Sequence, residues 1–142
     1  MIVADTGAIL ALIDADDDHH DEFRALYDED PGSWVLPWAI LAEISYLLAS
    51  HVGADAELAF VSDLASGGYA VEWGGETDLA RARELCERHR ALRLGLVDGV
   101  VVAVAERLRA DAIATLDYRH LGAIEIIGSP LLLPRDRGPV RT

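Results

Sequence analysis

Leu94-Gly95-Leu96-Val97-Asp98-Gly99-Val100-Val101-Val102-Ala103-Val104-Ala105-Glu106-Arg107-Leu108 runs into Arg109-Ala110-Asp111-Ala112-Ile113-Ala114-Thr115-Leu116-Asp117. Gly99 to Leu108 is apolar almost all round, so it reads as a buried helix, and Asp98 opens it with a carboxylate in the first turn. Ala112 to Leu116 is short and apolar, follows the polar break Arg109-Ala110-Asp111, and stops at Asp117. That is the pattern of a buried strand with an acid at its C-terminal tip. Two acids therefore flank one helix-strand unit inside the longer stretch Leu92 to Leu121. Carboxylates drawn into an apolar setting cost several kcal/mol unless a positive or hydrogen-bonding group compensates them, and a bound metal is one such group.

Working back to the start of the chain, Ile2 to Ala4 is another short apolar run that stops at an acid, in Asp5-Thr6-Gly7, before the apolar Ala8 to Ile13. A buried parallel strand, an acidic turn and a short helix are expected there. After the polar break Asp14 to His20, a helix to about Asp28 should present Phe23, Leu26 and Tyr27 inward. Pro31-Gly32-Ser33 is a turn, Trp34 to Leu36 a second strand, and Pro37 suits the first position of a helix to about Ser50. Ile40, Glu43, Ile44 and Leu47 share one face of that helix, so Glu43 points with the apolar residues. Asp55 to Leu64 reads as a helix and Tyr69 to Trp73 as an alternating strand. Thr77 is the expected N-cap of a helix from Asp78 to His89 with Leu79, Ala82, Leu85 and Cys86 inward. The last strand falls near Ile124-Glu125-Ile126-Ile127, and the Pro- and Arg-containing stretch 129–142 reads as an extended or disordered tail after a domain over 1–128. Strands alternating with helices throughout give an α/β sandwich with a mainly parallel sheet.

The 142 residues suffice for one domain with its own core, and the single Cys86 forms no internal disulfide. The longest apolar runs are far shorter than the ~20 residues of a membrane-spanning helix, and Met1 leads into the first strand without a basic segment, so a soluble cytoplasmic protein is expected. A net charge of −13 argues against a protein that coats nucleic acid, but not against an enzyme whose acids bind metal. Nine of the acids crowd between Asp14 and Asp30, so this charge is concentrated in one early segment.

In open parallel sheets the ligand site lies beyond the carboxyl ends of the strands. Asp5 and Asp117 occupy that end of two expected strands, Asp98 begins a helix on the same side, and Glu43 lies one to two turns into a helix that also follows a strand. Four carboxylates from distant places thus converge on one edge. Such an oxygen-rich set suits Mg²⁺ or Mn²⁺, and the reaction class is metal-assisted phosphodiester hydrolysis.

Asp5-Thr6 after an N-terminal strand, Glu43 on an early helix, Leu-x-x-x-Asp at Leu94 to Asp98 and Thr-x-Asp at Thr115 to Asp117 together resemble PIN-domain ribonucleases, in particular the VapC-like toxins of bacterial toxin-antitoxin pairs. The resemblance covers about the whole chain. It implies an α/β/α sandwich, a metal-dependent endoribonuclease that cleaves RNA, a cognate antitoxin that blocks the site, and a homodimer. Carried over by position, Asp5 and Asp98 are the main metal ligands for Mg²⁺, for which Mn²⁺ substitutes. Glu43 and Asp117 complete the acidic pocket, and Thr6 and Thr115 orient carboxylates or phosphate through their hydroxyls. Two positions depart from the family pattern: Gly99 follows Asp98 where a small residue with a side chain is usual, and Leu121 stands where an aromatic commonly follows the last acid.

Other readings compete with these. Asp5 and Asp98 are also good helix N-caps, Glu43 can pair with an arginine such as Arg93, and Asp117 can be a turn former before Tyr118-Arg119-His120. The acidic run from Asp14 lacks the glycine and the final glutamate of a calcium loop. The arginines at 81, 83, 88, 90 and 93 are either a solvated face or an RNA or partner contact. Two other functions fit the residues: a non-catalytic module of the same fold that binds partners, and a metal phosphohydrolase acting on a small phosphate ester.

Overall fold

The computed structural model describes residues 1–137. Five strands, β1 (Ile2–Ala4), β2 (Trp34–Pro37), β3 (Ala70–Glu72), β4 (Ala112–Ala114) and β5 (Leu131–Leu133), form one parallel sheet in the order β3-β2-β1-β4-β5. Six helices cover it: α1 (Thr6–Ile13), α2 (His20–Glu29), α3 (Trp38–His51), α4 (Ala54–Ala65), α5 (Glu76–Arg88) and α6 (Leu96–Arg107). The strands are short and apolar because both faces of a parallel sheet are covered by helices. Val3, Ala4, Leu36, Ile113 and Ala114 have no exposed surface, and neither do Ile9, Ile40, Ile44, Val100 and Val104 of the helices above and below.

The strand order places the site. From β1 the chain winds outward to β2 and β3, then returns to pair β4 with the other side of β1. At that reversal the loops leaving β1 and β4 part to opposite sides, which opens a crevice at their carboxyl ends. Asp5 directly follows β1, and Thr115 directly follows β4.

The expected strand at Ile124–Ile127 is absent; that segment is irregular, and the fifth strand is Leu131–Leu133, inside the stretch read as a tail. Ile124-Glu125-Ile126-Ile127 has the better strand composition, and prolines at 130 and 134 bracket the true strand. An edge strand tolerates flanking prolines, since one side of it needs no ladder partner. The remainder of that tail, 138–142, lies outside the described residues.

α5 also differs from expectation. Gly75, not Thr77, is its N-cap, and Asp78 accepts the Gly75 N–H at 3.3 Å from within the first turn. The inward face is then Asp78, Ala82 and Leu85, while Leu79 is exposed and Cys86 half-buried. Asp78 is buried because Arg107 of α6 meets it through Nε at 2.8 Å and Nη2 at 3.0 Å, so the charge enters the core already paired. Arg81 likewise grips Glu106 with two hydrogen bonds, at 2.7 and 3.1 Å. Arg81 and Arg107 thus hold α5 to α6, while Arg83, Arg88, Arg90 and Arg93 are exposed.

Gly99 has a packing reason. A Cβ at this position would stand 2.9 Å from the Ala82 Cβ and 3.2 Å from the Ala82 carbonyl oxygen, so α5 and α6 touch backbone to backbone there. Gly99→Ala should therefore destabilise the protein by about 1–2 kcal/mol in urea melts, although alanine alone favours a helix by about 1 kcal/mol. A more stable variant would show that the helices separate without cost.

Candidate active site

Asp5 is the N-cap of α1, as an aspartate at a strand-to-helix turn should be, but the cap accounts for only one of its oxygens. Oδ1 accepts the Thr6 N–H at 2.8 Å; Oδ2 accepts the Thr115 hydroxyl at 2.8 Å. Thr115, fully buried, also accepts the Asp117 N–H on the same Oγ1 at 2.9 Å. One hydroxyl thus ties the end of β1 to the turn after β4. Two ladder bonds set this register: Asp5 N–H to the Ala114 carbonyl and Thr115 N–H to the Leu133 carbonyl, both at 2.9 Å. The misplaced fifth strand is therefore part of what positions the site.

Asp98 is the third residue of α6, half-buried, with the Gly95 N–H at 3.5 Å. Glu43 is exposed on α3 although Ile40 and Ile44 beside it are buried, and it makes no ion pair with Arg93 or any other described residue. Its expected place on the apolar face is thus corrected: it sits at the rim of that face, where α3 borders the crevice. Asp5, Thr6, Glu43, Asp98 and Asp117 line one open cavity of about 400 Å³. All four acids singled out in the sequence meet there.

Their electrostatics are strained. Burial pushes Asp5 up from the usual 3.8 to about 6, against the lowering effect of the Thr115 and Thr6 hydrogen bonds, with Asp98 and Asp117 pushing the same way as burial. Asp98 is raised first by burial, then by Asp117, with Glu43 adding to it. A crowded cluster of oxygen donors at a sheet's carboxyl edge fits a hard divalent cation. The Thr6 hydroxyl fits one too: it is buried without a hydrogen-bond partner, and only the Thr6 backbone, not its side chain, serves Asp5.

One site residue escaped the sequence reading. His120, taken there as part of a turn, places Nδ1 3.0 Å from both carboxylate oxygens of Asp117, which also accepts the His120 N–H at 3.1 Å. Asp117 raises the imidazole above its ordinary value. The signal available was Asp-x-x-His in the turn that follows an acid-tipped strand. Leu121, the departure from the expected aromatic, is buried in the core, and its backbone N–H donates to the Asp117 carbonyl at 3.1 Å.

Residues 2–125 match the PIN domain family. Ribonuclease VapC26 of Mycobacterium tuberculosis is 34% identical over 127 residues, 89% of this chain and 94% of the relative. Among solved structures, VapC20 of Mycobacterium tuberculosis, described as a sarcin-ricin loop cleaving toxin, superposes with a TM-score of 0.79 at 23% identity, covering 90% of this chain and 98% of the other. FitAcB from Neisseria gonorrhoeae gives a TM-score of 0.70 at 16% identity over 96% and 99% of the two chains. At such identities these two likenesses speak for the fold alone, which they share with the five-stranded sheet described above. On its matched sequence and its fold together, the chain belongs to the PIN-domain family, as one of its VapC-like members.

Proposed function

We propose that this protein is a Mg²⁺-dependent endoribonuclease, for which Mn²⁺ substitutes, acting as the toxin of a toxin-antitoxin pair. The observation that carries this is the convergence of four carboxylates, from four separate places in the chain, on one cavity at the switch point of the sheet. The name of the 34%-identical relative, a ribonuclease, and the description of VapC20 as an RNA-cleaving toxin support the same substrate class.

In this reading Asp5 and Asp98 would hold the cation, which when bound would supply positive charge for the phosphate and the leaving oxygen and lower the pKa of a water. Thr115 and the Thr6 N–H keep Asp5 in one rotamer, so its oxygens need no reorganisation on binding. Glu43, exposed at the rim, and Asp117 on the cavity wall are placed to orient the entering water. With a net charge of −13 the surface repels RNA, so the phosphate is held mainly at this site. The same field favours an antitoxin that enters the cavity with arginine or lysine. Exposed Tyr46 on α3 and Leu58 and Val61 on α4 give that partner, or a second copy of this chain, apolar surface to cover. No described helix is long and apolar enough to cross a membrane, and the cytoplasm, where RNA is, is the proposed compartment.

The experiment is cleavage of end-labelled structured RNA by partner-free protein with Mg²⁺, with Mn²⁺ and with EDTA, beside a chromogenic phosphate ester. Internal cuts that need the cation, with the ester left intact, are expected. Ester hydrolysis without RNA cleavage would make the protein a phosphohydrolase. Neither activity, together with no Mn²⁺-induced rise in Tm, would make it a binding module.

A further inference from the structure

The acidic site as proposed leaves His120 without a role, yet its geometry is that of a ligand. A ring nitrogen of His120, one oxygen of Asp117 and one of Asp98 all lie within 4.8 Å of one another. Two donors bound side by side to an octahedral cation at about 2.1 Å stand roughly 3.0 Å apart. Nδ1 and the Asp117 oxygens are 3.0 Å apart.

An independent observation points to a ligand in the same place. Thr6 Oγ1 is buried, lines the cavity with Asp98 and Asp117, and has no partner. A buried hydroxyl left unpaired carries a desolvation cost that nothing in the protein relieves. A water or phosphate oxygen brought in with a cation relieves it.

We propose that His120 Nδ1 is an inner-sphere ligand of the divalent cation that Asp98 holds, reaching it from beside Asp117, and that this nitrogen shifts the site's preference from Mg²⁺ towards first-row transition dications such as Mn²⁺. The inference rests on the acidic-site reading above and adds to it which donor sets the metal's identity. Mg²⁺ prefers oxygen and gives up its waters reluctantly, whereas the first-row dications accept imidazole. The competing view is that His120 merely closes the turn and pairs with Asp117.

Mn²⁺ bound at one equivalent, read by electron spin-echo envelope modulation, separates these views without any turnover. Modulation from a directly coordinated ¹⁴N is expected in the wild type. It should vanish in His120→Gln, which should still bind Mn²⁺ but with its preference for Mn²⁺ over Mg²⁺, measured by calorimetry, reduced by about ten-fold or more. Mn²⁺ that binds the wild type without ¹⁴N modulation, while Asp98→Asn loses binding, overturns the role of His120 and leaves the acidic site standing. Wild type and Asp98→Asn that bind Mn²⁺ equally poorly overturn both.

Discussion

Asp98→Asn should lower cation-dependent RNA cleavage by about 10³-fold or more, or roughly 4 kcal/mol of transition-state stabilisation. The amide keeps the size of the side chain and can still accept the Gly95 N–H through its oxygen, so helix α6 should start as before. What is lost is one negative charge at the point where Asp5, Asp117 and Glu43 all exert their repulsion on it or feel it. Cation binding depends on that charge, so the Mn²⁺-induced rise in Tm should disappear along with activity. In EDTA the variant should melt no lower than the wild type, since removing a carboxylate relieves a like-charge cluster. A variant that retains more than a tenth of the cleavage rate would remove Asp98 from the site. A variant that is inactive because it is unfolded would show itself in the EDTA melt.

The second large effect is on stability and concerns Asp5. Its folded value of about 6 lies above the 3.8 of an ordinary carboxylate, so the folded chain holds this proton more tightly than the unfolded chain does. The stability contributed by Asp5 in the absence of metal is therefore fully present below about pH 3.8 and is lost as the pH rises through about 6, about 3 kcal/mol in all. Roughly half of that loss lies between pH 5 and 7.5. Because the side chain is almost wholly buried, solvent screens little of it. Urea melts of wild type and Asp5→Asn in EDTA across this range should diverge, the wild type losing stability with rising pH relative to the variant. Added Mn²⁺ should restore the wild type alone and bind more tightly as the proton leaves. Parallel curves for the two proteins would mean that Asp5 titrates as an exposed carboxylate and that the cluster carries no strain.

These two effects have one origin. Folding places the Asp5 carboxylate where burial and its neighbours oppose its charge, and Thr115 and the Thr6 N–H offset that only in part. Strain of this kind persists when a ligand relieves it in the working state.

The sequence by itself determined the parallel α/β architecture, because buried strands and crossover helices leave continuous apolar runs that stop abruptly at Asp5 and Asp117. It also singled out the four acids that line the cavity, since a carboxylate at the tip of a buried strand or in the first turn of an all-apolar helix stands out against its surroundings. Glu43 was legible as an acid beside an apolar face, though not as an exposed one, because a helical wheel shows direction and not the edge of what covers it. Tertiary structure alone decided the rest. Leu131–Leu133 is a strand because the exposed edge of β4 accepts it, and its own composition argues weakly for that pairing. Gly99 is explained by Ala82, seventeen positions away, where two helices need backbone contact. His120 came beside the site acids only when the turn after β4 folded its ring back onto Asp117, a contact that depends on the path of the chain. Local pattern records what each residue must avoid, water or burial; which distant groups it meets is settled by packing.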